Sequence, residues 1–89
     1  MGKHFVCYMV RREEPGSKLG LVVSRKVGKA VVRNRVKRYI REYFRQHHKE
    51  FEAPVELVVV ARAEAAGLDS HGCSRSLEYL LARGGIVHG

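Results

Sequence analysis

Ala30-Val31-Val32-Arg33-Asn34-Arg35-Val36-Lys37-Arg38-Tyr39-Ile40-Arg41-Glu42-Tyr43-Phe44-Arg45 is the stretch that decides how the rest of this 89-residue chain is read. At ~100° per residue, Val32, Val36, Tyr39, Ile40, Tyr43 and Phe44 gather on one side of a helix. Lys37, Arg41, Arg45, Arg38 and Arg35 spread over the opposite side, with Arg33 at the border. The spacing predicts an amphipathic helix from Ala30 to about His48, with a polar face that is almost wholly cationic. An apolar stripe of this width needs a second layer to lie on.

The flanking sequence supplies that layer. Upstream, Phe5–Arg11 is rich in aromatic and β-favouring residues and reads as a strand. Both of its faces are largely apolar, so it is expected to be central in a sheet or covered on both sides. Glu13-Glu14-Pro15-Gly16-Ser17 is a turn, and Lys18–Ser24 reads as a second strand paired with the first as a hairpin. Arg25–Lys29 is a short basic loop containing Gly28. Downstream, Glu52-Ala53-Pro54 ends the helix. Val55–Ala61 is a third strand, whose continuous apolar run predicts burial on both faces. Ala63–Asp69 reads as a loop, and Ser70 as the N-cap of a last helix running to about Arg83. That helix has Cys73, Leu77, Leu80 and Leu81 as its apolar stripe and Gly84-Gly85 as its stop. No internal repeat or linker divides the chain. Residues 1–89 are expected to form a single two-layer α+β domain, a small mixed sheet with a central basic helix and a C-terminal helix in the order ββαβα.

Hydrophobic residues make up 45% of the chain, enough for one modest core. No apolar run approaches the ~20 residues needed to cross a bilayer. The N-terminus carries no apolar stretch of signal-peptide length, so the expected compartment is the cytoplasm. Cys7 and Cys73 lie far apart, belong to no CxxC pair and read as reduced, buried thiols. A zinc site is not expected: His71 and Cys73 are close in sequence, but His47 and His48 lie on another element.

Net charge is +8, and its distribution says more than its total. Residues 25–45 hold nine basic residues against Glu42 alone, which accounts for the whole excess; the remainder of the chain is neutral. A solvated helix face usually balances its charges with acids at i±4. Here Arg33, Lys37, Arg41 and Arg45 follow one another at that spacing, and each like-charge pair costs roughly 0.2–0.5 kcal/mol in an isolated helix. Lys26, Lys29 and Arg33 also oppose the positive end of the helix dipole. A polyanion would turn these penalties into attraction. The run from Arg33 to Arg45 spans ~18 Å, enough to meet several phosphates. Arginine offers phosphate a planar fork, lysine a point charge. Gly28 allows close backbone approach just ahead of the helix. Asn34 has donors and acceptors for a base, a sugar hydroxyl or a hydrated metal ion, and a surface or capping role accounts for it equally well. A membrane role fits less well, because the apolar face (Val36, Ile40, Tyr43, Phe44) is needed to cover the sheet.

Ser24-Arg25-Lys26-Val27-Gly28-Lys29-Ala30-Val31-Val32-Arg33-Asn34-Arg35-Val36-Lys37-Arg38, continued by Arg41-Glu42, closely resembles the signature of the protein subunit of bacterial ribonuclease P. Val55–Ala61 followed by Arg62, and Leu80-Leu81 in the last helix, fall where that family has them, so the resemblance covers nearly the whole chain. It implies a subunit of an endoribonuclease holoenzyme whose catalyst is RNA, so that the chain itself carries no catalytic residue and holds no metal. That RNA removes the 5′ leader of precursor tRNA with Mg2+ that is mainly RNA-bound. The implied partners are ribonuclease P RNA and precursor tRNA, with no membrane. By motif position, Arg33, Asn34, Lys37 and Arg41, with Lys26, would face the single-stranded leader in a cleft between the basic helix and the sheet. Arg35 and Arg38, with Lys29 and Arg45, would face the catalytic RNA. Tyr8, in a strand matching Phe-Val-x-Tyr, would stack on a leader base; by residue pattern alone, core packing accounts for Tyr8 better. Family members usually begin with a basic segment and an aromatic-bearing helix, whereas this chain starts almost at the first strand. Lys29 stands where the family often has Asn.

Two other functions compete. A structural RNA-binding protein of ribosomal type would share the basic helix without needing cleft residues for a single strand. A free-standing nuclease would need clustered carboxylates to hold metal ions, but Glu42 stands alone among cations, and His47 and His48 have no orienting partner in view.

Overall fold

The computed structural model describes residues 4–47, 49 and 54–83. Strand β1 is Phe5–Arg11, β2 is Lys18–Val23 and β3 is Val55–Ala61; helix α1 is Ala30–His47 and α2 is Ser70–Arg83. Single 3-10 turns, Arg25–Val27 and Ala63–Gly67, precede the two helices. The order ββαβα stands as expected. His48, Gly84 and Gly85, assigned to helix ends by the sequence, lie outside the described residues, as do Glu52 and Ala53.

The pairing differs from a hairpin. The sheet order is β1-β3-β2, with β3 antiparallel to β1 and parallel to β2. β3 is the most continuously aliphatic strand, and the central position satisfies both of its backbone edges. The link between β1 and β2 therefore spans two strand spacings, roughly 10 Å, which a tight hairpin turn cannot do. It is fastened to the start of β3 at both ends. The Arg12 amide donates to the Pro54 carbonyl at 2.9 Å, and the Val55 amide donates to Ser17 Oγ at 3.2 Å. The Arg12 guanidinium closes the link on the Gly16 carbonyl and on Glu14. Gly16 has φ +87°, a left-handed conformation natural to glycine.

Successive strand residues alternate between faces. Phe5, Val23, Val55, Leu57, Val59 and Ala61 share one face and are buried there with Val36, Ile40 and Tyr43 of α1 and Cys73, Leu77 and Leu81 of α2. α1 packs over β2 and α2 over β1, side by side on that face. The other face carries Val6, Val58 and Val60, half-buried, and Tyr8, Val10 and Val22, exposed. Two expectations fail here. β1 is an edge strand covered on one face only, and β3 is fully buried on one face but not on both, with Glu56 exposed. The reason is a shortage of layers: two helices cover one face, and the described residues provide no element for the second.

α2 begins one residue earlier than a Ser70 cap implies. Asp69 Oδ1 accepts from the Gly72 amide at 2.7 Å, so Asp69 is the cap.

Candidate nucleic-acid interface

α1 is entered through a built turn. Ser24 Oγ accepts from the Lys26 amide at 3.3 Å and caps the Arg25–Val27 turn. Gly28 then takes φ +148°, and a Cβ at this position would sit 3.3 Å from Val32, so both backbone and space call for glycine. The Lys29 carbonyl accepts the first helical bond, from the Arg33 amide at 2.9 Å. Val27 is buried, which leaves Arg25, Lys26 and Lys29 exposed around it.

Along α1 the cations fall on two flanks. On one flank, Arg33, Lys37 and Arg41 follow one another at i+4, with Asn34 beside them. Arg33 and Lys37 are half-buried against the protein; Asn34 and Arg41 are exposed. An exposed Asn34 in the body of the helix serves no cap. The second flank holds Arg38, Glu42 and Arg45, which with Arg41 line a shallow groove. The Arg38 guanidinium lies over the Tyr39 ring at 5.4 Å. A polar groove of about 320 Å³ continues toward α2, lined by Tyr39, Glu42, Tyr43, Gln46, Ser70, His71 and Ser74. Arg35 is half-buried as well, and it donates to the Ala66 carbonyl at 3.3 Å.

Tyr8 is not a core residue. Its side chain is 57% exposed on the open sheet face. In register it sits in a row with Val58 and Gly20, and the absent side chain at Gly20 leaves that row hollow at the β2 edge. Val10 and Val22 extend this apolar surface, and sequence reading missed both. Only strict alternation would have exposed them, and β1 and β2 carry apolar residues on both faces. Helical spacing thus brings Arg33, Lys37 and Arg41 into one row on α1 with Asn34 beside it, while Lys26 lies outside the helix, in the Arg25–Val27 turn. The structure sets Tyr8 apart from them, on the open face of the sheet.

The catalytic alternatives find no support in these groups. His47 stacks on Tyr43 with ring centroids 4.3 Å apart, and His48 lies outside the described residues. Among the described residues, no three His, Cys, Asp or Glu side chains gather to hold a metal ion. Burial pushes the Cys73 thiol up to about 12 and the Cys7 thiol up to about 11, the opposite of an activated nucleophile.

A family model described as Ribonuclease P matches residues 1–85. The chain belongs to the ribonuclease P protein family. The ribonuclease P protein component of Listeria innocua is 38% identical over 86 residues, covering 96% of this chain and 72% of that one. The Geobacillus kaustophilus component is 42% identical over 84 residues, covering 93% and 69%. The solved structure of the Staphylococcus aureus RNase P protein superposes with a TM-score of 0.88 at 32% identity, covering 99% of this chain and 81% of that chain. The three-stranded mixed sheet with two helices is therefore the ribonuclease P protein fold, and the ribosomal-type alternative is not favoured. A member of this family is a protein component of the ribonuclease P holoenzyme.

Proposed function

We propose that this ribonuclease P protein meets its two RNAs on different surfaces. Lys29, Arg38 and Arg45, all exposed, take the catalytic RNA. Lys26, Arg33, Asn34, Lys37 and Arg41 take the 5′ leader of precursor tRNA, and Tyr8 stacks on a leader base across the open sheet face. The observation that carries this reading is a dense row of cations along the outside of one helix and, on the other face of the sheet, an uncovered apolar surface with an exposed tyrosine.

The chain supplies binding and orientation. Arginine forks pair with phosphate in two hydrogen bonds, which fixes direction as well as affinity. An aromatic ring holds a base without reading its sequence, as a leader of variable sequence requires. The Mg2+ of the holoenzyme is assigned to the RNA. Glu42, the acid of α1, sits in a groove among Arg38, Arg41 and Arg45, a donor set that repels a cation. The expected compartment is the cytoplasm; no helix among the described residues is long and apolar enough to cross a membrane.

The test is reconstitution. The purified chain is mixed with a cognate ribonuclease P RNA at low magnesium, and cleavage of a precursor tRNA is followed beside Arg38→Ala/Arg45→Ala. Restored cleavage by the wild type and not by the double variant supports the reading. Salt-dependent RNA binding with no gain in cleavage would point to a structural RNA binder instead. Absence of salt-dependent binding sinks the proposal.

A further inference from the structure

Arg35, half-buried like Arg33, is a cation of α1 whose guanidinium reaches a backbone carbonyl of another element. Its Nη2 donates to the Ala66 carbonyl, 31 residues away, at 3.3 Å. Its Nε is shielded from solvent with no hydrogen-bond partner among the described residues. Arg38, Arg41 and Arg45 on the same helix are exposed. The bond to a carbonyl of another element occupies part of the fork that a phosphate would otherwise take.

The carbonyl it reaches belongs to a weak element. The Ala63–Gly67 turn is tied at its two ends by backbone bonds, from the Ala65 amide to the Arg62 carbonyl at 2.9 Å and from the Leu68 amide to the Ala65 carbonyl at 3.1 Å. Such 3-10 turns have poor hydrogen-bond geometry and lean on outside contacts. Ala65 is fully buried, and the turn packs against the Arg25–Val27 turn, whose Val27 is also in the core. Arg25 and Lys26, on either side of the approach to α1, are exposed. A continuous path therefore runs from Arg35 through the Ala63–Gly67 turn to the turn that presents Arg25 and Lys26.

We propose that Arg35 is a positioning residue: it anchors the Ala63–Gly67 turn to α1, and through that turn holds Arg25 and Lys26 in place to meet RNA phosphates. The proposal rests on the RNA-binding reading above. It removes Arg35 from the residues that touch the catalytic RNA and assigns its charge to a backbone carbonyl.

Arg35→Ala in the whole chain tests this by two independent readouts. Amide exchange at Ala65 and Leu68 is expected to accelerate about tenfold, because the turn loses a charge-assisted bond. Affinity for ribonuclease P RNA is expected to fall about five- to tenfold, with the slope of log affinity against log salt unchanged. Lys26→Ala, by contrast, lowers that slope by roughly 0.7–0.9, the value for one lost phosphate contact. In the Arg35→Ala background, Lys26→Ala should cost less than in the wild type, since the position it relies on is already loose.

A slope that drops as much as for Lys26→Ala, with exchange unchanged, makes Arg35 a phosphate ligand and overturns the proposal. Faster exchange with unchanged affinity overturns it too, because the anchor would then serve the fold alone. If the wild type shows no salt-dependent RNA binding, the functional reading falls and takes the interface half of the proposal with it, while exchange still reports on the anchor. Arg35→Met keeps the buried stem and loses the fork, and replaces Arg35→Ala if the alanine variant does not fold.

Discussion

On one face of the sheet, Phe5, Leu57, Val59 and Ala61 lie beneath α1 and α2, out of water. Across the same backbone, Tyr8, Val10 and Val22 meet solvent. Residue type does not separate the two sets, since both are aliphatic with one aromatic ring. What separates them is the supply of covering elements. An apolar surface left open in so small a protein costs solubility, and such surfaces generally mark interaction sites. The covered face holds the fold, and the open face is available for recognition.

The sharpest way to break this contrast is to remove a side chain from each face. Leu57→Ala should destabilise the protein by about 2–5 kcal/mol, a large share of a small domain's stability, as read by heat or denaturant unfolding. A loss below about 0.5 kcal/mol would mean that this face is not the core. Tyr8→Ala should shift stability by no more than about 0.5 kcal/mol. It should weaken binding of a leader-bearing precursor tRNA by about 1–3 kcal/mol and leave a leaderless tRNA unaffected. Unfolding comparable to that of Leu57→Ala would erase the difference between the faces.

Two smaller effects sharpen it. Asp69→Ala removes the cap that starts α2, the helix over β1, and should cost about 1 kcal/mol, whereas Ser70→Ala should cost a few tenths. The reverse order would restore Ser70 as the cap. The least effect is in the thiols of the covered side. Burial raises the Cys7 pKa from 9.0 to about 11, so the folded chain holds this proton more tightly than the unfolded chain. The thiol's contribution to stability is therefore whole below pH 9 and is lost as pH rises from 9 toward 11. The wild type should lose more stability than Cys7→Val across that window, and iodoacetamide should modify native Cys7 far more slowly at pH 8 than the unfolded chain.

The elements themselves were legible. The i, i+4, i+7, i+8 spacing of Cys73, Leu77, Leu80 and Leu81 marks α2, and the apolar stripe from Val32 to Phe44 marks α1. α1 begins at Ala30 as expected, and α2 at Ser70, one residue ahead of the expectation. Pairing was not legible, because adjacent strands suggest a hairpin and nothing local in Lys18–Val23 announces a partner more than thirty residues downstream. Burial of Tyr8 was misjudged for a related reason: Val6, Cys7, Tyr8, Met9 and Val10 show no alternation, so the two faces of β1 look alike until the helices are placed. The cations were found by their clustering in residues 25–45 and their i+4 spacing. The bond from Arg35 to Ala66 was invisible, since its acceptor is a backbone carbonyl, which every residue carries.

The central place of β3 also sets a timetable. β1 and β2 pair with β3 and not with each other, so among the described residues ahead of Val55 no two strands bond together. During synthesis, both early strands and the whole basic helix emerge before the sheet has any hydrogen-bonded ladder. Closure of the sheet must wait for a segment that comes after α1, and such long-range pairing slows folding. Until then the chain shows its densest positive charge and its unpaired strands together, beside the nucleic acid of the ribosome that is making it.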